Sequence, residues 1–195
     1  MDGAALLERL ELKFVMPQDL LASVLAELSD AYRVLVVNGQ RLSRYRTLYF
    51  DTDALTLYRR HHAGAADRYK VRAREYVESR AAFFEVKHKT GSGYTVKRRI
   101  PTEEIVTAVT PWAADFLAEV YPYTADELAA SLWNHYTRIT LVNKLKAERV
   151  TLDLDLAFVR GTEQATLPGI VVAEVKHQGA RHASEFARDA HAPRA

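Results

Sequence analysis

The residues best placed to do chemistry are cations at alternate positions. Lys70-x-Arg72-x-Arg74, Lys87-x-Lys89 and Lys97-x-Arg99 recur in three successive segments. On an extended strand such neighbours share one face, about 7 Å apart, twice the rise per residue. Like charges at that spacing repel unless water or an anion screens them. Arginine's planar fork suits bidentate contact with phosphate. One such column reads equally well as a solvated face or as protection of an edge strand. Three in succession point to binding of a phosphate-rich anion.

Carboxylates share the alternating pattern. Glu11, Glu85, Asp153, Asp155 and Glu174 fall on the same faces as Lys13, Lys87, Arg149 and Lys176. Acidic groups among phosphate-binding cations are how a site holds Mg²⁺ or Mn²⁺ against a polyphosphate. Glu85, beside Lys87, reads at least as well as a neutralising partner. Glu174, Asp153 and Asp155 are the metal-ligand candidates, with Glu11 beside Lys13.

Other chemistries find little support. There is no G-x-x-x-x-G-K-[ST], G-x-G-x-x-G, G-x-S-x-G or H-E-x-x-H motif. The chain has no cysteine, which excludes disulfides, thiolate zinc sites and a cysteine nucleophile. His61 and His62 are adjacent on an expected helix and point apart. His88 and His177 fall in apolar columns and read as core or outer-surface residues. Trp112 and Trp133 read as packing residues of a helical insert.

The elements that must position these groups are mainly strands. Period-2 alternation runs through residues 9–14, 69–74, 84–89, 94–99, 149–156 and 173–176, with further strand-like runs from Arg44 to Asp51 and from Tyr136 to Val142. This predicts about eight strands with one apolar and one charged face. Gly91-Ser92-Gly93 reads as a hairpin turn. A helix is expected after Pro17-Gln18-Asp19, carrying Leu20, Leu21, Val24, Leu25 and Leu28. Asp53 is the expected cap of a helix through Leu55 and Tyr58. A short helix is expected from Thr102-Glu103-Glu104-Ile105. Another is expected from Thr124-Ala125-Asp126-Glu127 into Leu128, Leu132 and Trp133. The class is α+β with an antiparallel sheet.

Bulk properties agree. The chain has 195 residues, 48% hydrophobic and 27% charged, as in an ordinary globular protein, and one domain over 1–195 is expected. Lys+Arg number 27 against 25 Asp+Glu, yet residues 41–100 carry 15 basic and 6 acidic side chains. That basic block sits where the cation columns lie. No apolar run reaches the ~18–20 residues of a membrane span. Met1 to Glu8 lacks a basic region followed by a long apolar stretch, so no secretory leader is expected, and the cytoplasm is the default location.

Several runs together resemble a known family. They are Glu11-Leu12-Lys13-Phe14, Tyr45-Arg46-Thr47-Leu48-Tyr49-Phe50-Asp51-Thr52, Lys70-Val71-Arg72-Ala73-Arg74, Glu85-Val86-Lys87-His88-Lys89, Thr95-Val96-Lys97-Arg98-Arg99 and Ala173-Glu174-Val175-Lys176. In this order they resemble the VTC domain, the polyphosphate polymerase branch of the triphosphate tunnel metalloenzyme (CYTH-like) superfamily. The resemblance covers roughly residues 8–177. It implies a closed antiparallel β-barrel with flanking helices and a charged lumen. It also implies transfer of the terminal phosphate of a nucleoside triphosphate to polyphosphate, with Mn²⁺ or Mg²⁺. By position, Lys13, Arg72, Arg74, Lys87, Lys97, Arg138 and Arg149 would bind phosphate, and Glu174 would bind the metal. Lys70, Lys89, Arg99 and Lys176 would extend the anion-binding set, and Glu11, Asp153 and Asp155 the metal set.

Other functions stay open. Tunnel triphosphatases and cyclases resembling this chain usually show E-x-E-x-K, where here Arg9-Leu10-Glu11-Leu12-Lys13 has Arg9 in the first place. That substitution favours the polyphosphate variant. A non-catalytic polyphosphate or inositol-phosphate module is the alternative from another class. Nucleic acid is disfavoured, because Tyr69 and Phe84 fall on the apolar side rather than among the cations. A membrane partner accepting the product is compatible with a chain lacking its own span. Family members also carry a Ser-Lys-aromatic tail, where this chain reads Ala183-Ser184-Glu185-Phe186, with Glu185 in the lysine's place.

Overall fold

A computed structural model describes residues 9–178 and Phe186. The strands are β1 (Arg9–Pro17), β2 (Tyr32–Val34), β3 (Leu42–Asp51), β4 (Arg68–Tyr76), β5 (Ala81–Lys89), β6 (Thr95–Thr102), β7 (Ala129–Asn143), β8 (Glu148–Arg160), β9 (Glu163–Thr166) and β10 (Ile170–Gln178). The helices are α1 (Leu21–Glu27), α2 (Thr56–His62) and α3 (Pro111–Val120). The hydrogen-bonded path runs β1-β10-β8-β7-β3-β4-β5-β6, with β2 on β7 and β9 on β8. The ladders β1–β10, β10–β8, β2–β7, β3–β4, β4–β5, β5–β6 and β8–β9 are all antiparallel. The eight strands of the main path correspond to the eight expected from alternation.

The expected closed barrel is not formed by hydrogen bonds. Among the described residues the path ends at β1 and β6, and no ladder joins these two strands. Both ends carry residues suited to an edge. Pro17 closes β1 and Pro101 lies in β6, and proline cannot donate to a ladder. β6 also keeps Lys97, Arg98 and Arg99 exposed, a common device on edge strands.

The chain folds as two compact units. In one, made of residues 9–43, 136–156 and 167–178, α1 covers the apolar faces of β1, β10, β8 and β7. Val150, Leu152, Val171, Ala173 and Val175 are fully buried there, with Leu12, Phe14 and Met16 of β1 packed against them. Phe186 joins this core edge-on to Phe14, at 5.7 Å between ring centroids. Ala183, Ser184 and Glu185 of the expected tail motif lie outside the described residues.

The other unit, residues 44–135 and 157–166, is built on β3-β4-β5-β6. Phe50, Val71, Ala73, Phe84 and Val86 form its core with Leu57 of α2 and Ala113 and Leu117 of α3. Tyr69 and Phe84 are buried on this apolar side, as the alternation predicts. The turn at 90–94 closes β5 onto β6, with the Thr90 N–H donating to the Tyr94 carbonyl at 2.8 Å and Gly93 at φ 88°. Only glycine adopts that angle without strain.

The helix expectations fare unevenly. Gln18–Leu20 forms a 3₁₀ turn leading into α1. α2 is capped by Asp51 rather than Asp53. The Asp51 carboxylate accepts the N–H groups of Leu57 and Tyr58, each at 2.8 Å. Leu55 takes φ 55°, and that left-handed turn brings the helix start back over Asp51. No helix follows Thr102. The chain there bends, and Ile105, Val106 and Val109 pack on the core instead. Residues 125–127 make one 3₁₀ turn, and Leu132 and Trp133 belong to β7. The helix of this region is α3, with Pro111 at its first turn and Trp112 within it.

Candidate functional site

In the β3–β6 unit, register turns the cation columns into rows. Lys70 of β4, Lys87 of β5 and Lys97 of β6 lie directly opposite one another. Residues so paired have Cβ atoms about 4.5–5.5 Å apart, where like charges destabilise one another. The next row is Tyr49, Arg72, Glu85 and Arg99. Beyond it, Thr47 faces Arg74, which faces Phe83.

Glu85 organises this face. It is wholly buried, yet ionic on both oxygens. Arg72 Nε donates to Oε2 at 2.7 Å, its Nη2 lies 2.7 Å from the same oxygen, and Lys97 Nζ lies 2.5 Å from Oε1. Burial works to raise the Glu85 carboxyl, but the charge of Arg72 and the hydrogen bond and charge of Lys97 hold it below its ordinary value. Glu85 thus neutralises Arg72 and Lys97, the role that its sequence position suggested at least as strongly as metal binding.

The arginines are braced. Arg74 Nε donates to Thr47 Oγ1 at 3.1 Å, and its guanidinium lies 5.6 Å from the Tyr45 ring. Arg99 sits 4.2 Å over Phe83. Such cation–π contacts hold a guanidinium without neutralising it. Lys89, opposite Arg68 and Thr95, is exposed at the strand end.

Sequence reasoning missed Tyr49. Burial works to raise its phenol, yet the charges of Arg72, Arg74 and Lys70 bring it below its ordinary value. Its signal was available: Tyr49 has the same parity as Tyr45 and Thr47 on an alternating strand.

The other unit carries a more balanced cluster. Across β1, β10 and β8, Glu11 faces Lys176, which faces Arg149. In the next row Lys13 faces Glu174, which faces Thr151. Lys13 Nζ is 3.4 Å from Glu11 and 3.7 Å from Glu174, and Lys176 Nζ is 2.5 Å from Glu174. Burial works to raise the Glu174 carboxyl, but Lys176, Lys13 and Arg138 together hold it below its ordinary value. Arg138 grips Asp153 with both arms, Nε to Oδ1 at 2.5 Å and Nη2 to Oδ2 at 2.6 Å. The Arg138 guanidinium also lies 5.0 Å from the Tyr136 ring. Arg149 is exposed on β8.

The metal-ligand candidates divide. Among the described residues no three Asp, Glu, His or Cys side chains gather as a metal cluster. Glu11 and Glu174 do converge on one ammonium, that of Lys13. Two carboxylates completed by substrate oxygens suit Mg²⁺ or Mn²⁺, so this pair fits such an ion. Asp153 gives both oxygens to Arg138. Asp155 is exposed at φ 53°, past the last β8–β10 pair, Asp153 with Val172.

His88 and His177 serve packing. His177 is buried, and His88 stacks on Tyr69 at 4.1 Å while its ring nitrogen contacts Asp67.

Comparison with known proteins bears on the family and the fold. The VTC domain model matches residues 8–191. The chain belongs to the VTC domain family. Solved structures of similar fold include a candidate adenylate cyclase from Vibrio parahaemolyticus, 14% identical, with a TM-score of 0.51 over 93% of this chain and 80% of that one. A second candidate adenylate cyclase, from Bacillus halodurans, is 13% identical, with a TM-score of 0.54 over 92% of this chain and 85% of that one. At such identity the likeness is one of fold. Among curated proteins, none matches. No helix among the described residues is long and apolar enough to cross a membrane.

Proposed function

We propose that this VTC domain is a phosphotransferase that takes the terminal phosphoryl group of a nucleoside triphosphate onto polyphosphate. The observation that carries the reading is the register of Lys70, Lys87 and Lys97, a row of three like charges across adjacent strands. Even with Lys97 paired to Glu85, such a row gains from a polyanion laid across it. The family match spans residues of both compact units and supports treating 1–195 as one functional domain.

The chemistry is electrostatic. An ionised terminal oxygen of polyphosphate attacks the γ-phosphorus. The bond from that phosphorus to the β–γ bridging oxygen breaks, and the nucleoside diphosphate leaves with the electron pair. Since the acceptor is already ionised, no protein general base is needed. Lys70, Lys87, Lys97, Arg72, Arg74 and Arg99 hold and neutralise phosphate oxygens on their unit, fixed in place by Glu85, Thr47 and Phe83. Lys13, Lys176, Arg149 and Arg138 do so on the other. Glu174 and Glu11 are the residues that would hold Mn²⁺ or Mg²⁺. When bound, such an ion supplies further charge neutralisation at phosphate oxygens. The phosphate chemistry is compatible with the cytoplasm, where nucleoside triphosphates are abundant.

Incubation with ATP, Mn²⁺ and a short polyphosphate primer, resolved by product length, tests this. Growth of the primer is the expected result. Free phosphate without growth would make the protein a triphosphatase, a cyclic nucleotide would make it a cyclase, and binding without turnover would make it a sensor.

A further inference from the structure

The β3–β6 unit contains a cavity that the phosphate chemistry leaves unexplained. It has a volume of about 470 Å³ and opens across the ends of β3, β4 and β7 beneath α2. Small-molecule sites commonly span ~300–1,000 Å³, with a largely apolar wall and a few polar groups. This one follows that pattern. Leu55, Leu57 and Leu132 supply apolar wall, Tyr58 adds an aromatic ring, and Lys70 and Arg160 are the cations.

Two features say what the cavity takes. Lys70 belongs both to the cavity wall and to the Lys70–Lys87–Lys97 row, so the apolar chamber adjoins the phosphate-binding face. Tyr58, on the other wall, is 58% exposed and lies 6.0 Å from the His62 ring, so its ring is accessible to a ligand in the cavity. The fitting ligand is flat and apolar at one end and polyanionic at the other. Polyphosphate alone is charged along its whole length and gains nothing from leucine and tyrosine walls. A nucleotide has both parts.

We propose that this cavity receives the base and ribose of a nucleoside triphosphate whose phosphates lie along the Lys70–Lys87–Lys97 row. The inference rests on the phosphate-binding reading of that row and adds a subsite to it. It gives the protein a way to tell the nucleotide donor from the polyphosphate acceptor, since only the donor fills the chamber.

Titration calorimetry of the β,γ-imido analogue of ATP and of tripolyphosphate, on the wild type, Tyr58→Ala and Leu132→Trp, tests it. Tyr58→Ala removes an aromatic wall at an exposed position, and Leu132→Trp fills the chamber. Stacking on an aromatic side chain commonly accounts for ~1–3 kcal/mol per base, so each variant should lose on the order of tenfold in affinity for the nucleotide. Tripolyphosphate should bind all three proteins alike, which also reports that each variant keeps its cationic face. Unchanged nucleotide affinity in both variants, or equal loss of both ligands, would overturn the pocket. If tripolyphosphate failed to bind the wild type, the phosphate reading itself would fall, and the pocket with it.

Discussion

Glu85 lies in register with Arg72, accepts its Nε–H at 2.7 Å and lies 2.7 Å from its Nη2, on a carboxylate from which water is wholly excluded. A buried charge is tolerated only when its partner is held in place. This pair fixes Arg72 on the strand face where phosphate is to bind, and Lys97 shares the same carboxylate.

Arg72→Ala should therefore destabilise the fold. Removing one partner of a buried pair typically costs about 3–5 kcal/mol, and because Lys97 still pairs with Glu85 the loss here should fall at or below the low end of that range. The double variant Arg72→Met with Glu85→Leu should recover most of that loss while remaining unable to bind phosphate there. Urea unfolding of the two variants checks this; equal instability would show that packing rather than charge pairing explains the effect.

Acid stability follows from the same carboxylates. Glu85 and Glu174 are both held below their ordinary value of 4.5. Around that pH the unfolded chain therefore binds more protons than the folded one, so stability falls as pH falls. Their contribution is complete above about pH 4.5. It is lost as the pH drops through the lower folded-state values. Thermal unfolding of the wild type against Glu85→Gln, from neutral pH downward, should show the two curves converging at the acid end. A gap that does not narrow would contradict the assignment.

Asp51→Ala should loosen α2. The carboxylate accepts the N–H groups of Thr52, Leu57 and Tyr58. Loss of a helix cap typically costs about 0.5–2 kcal/mol. Asp53→Ala should leave the melting temperature within error, and the reverse ranking would place the cap where the sequence alone suggested.

Glu174→Gln should raise the Mn²⁺ concentration needed for half-maximal primer extension, and Glu11→Gln should do so less, being the more exposed of the pair. Asp153→Asn should mainly lower stability, since that carboxylate is clasped by Arg138. Extension assays across a Mn²⁺ series, beside unfolding curves, separate the two effects.

Alternation made the strand faces legible. Lys70, Arg72 and Arg74 emerge on one side and Tyr69, Val71 and Ala73 on the other, because the strand period is 2. Register is a long-range property, so the alignment of Lys70 with Lys87 and Lys97 could not be read from spacing. Asp51 and Asp53 both look like caps locally, and only the left-handed turn at Leu55 decides between them. Thr124 to Glu127 carries a helix-start pattern, but Leu128 is buried in the core and the chain continues straight into β7. Tyr49 went unnoticed because a tyrosine on a strand ordinarily reads as packing. The meeting of β1 and β6 required for a closed barrel depends on the whole sheet, and no local pattern reports it.

The central claim is that the face of β4, β5 and β6 binds phosphate. Titration of polyphosphate into the wild type and into Lys70→Ala with Lys87→Ala tests it most directly. Each charge-assisted contact contributes about 1.5–3 kcal/mol, so the double variant should bind at least about a hundredfold more weakly. Circular dichroism of the double variant should show the wild-type fold. Undiminished affinity in the double variant would contradict the account.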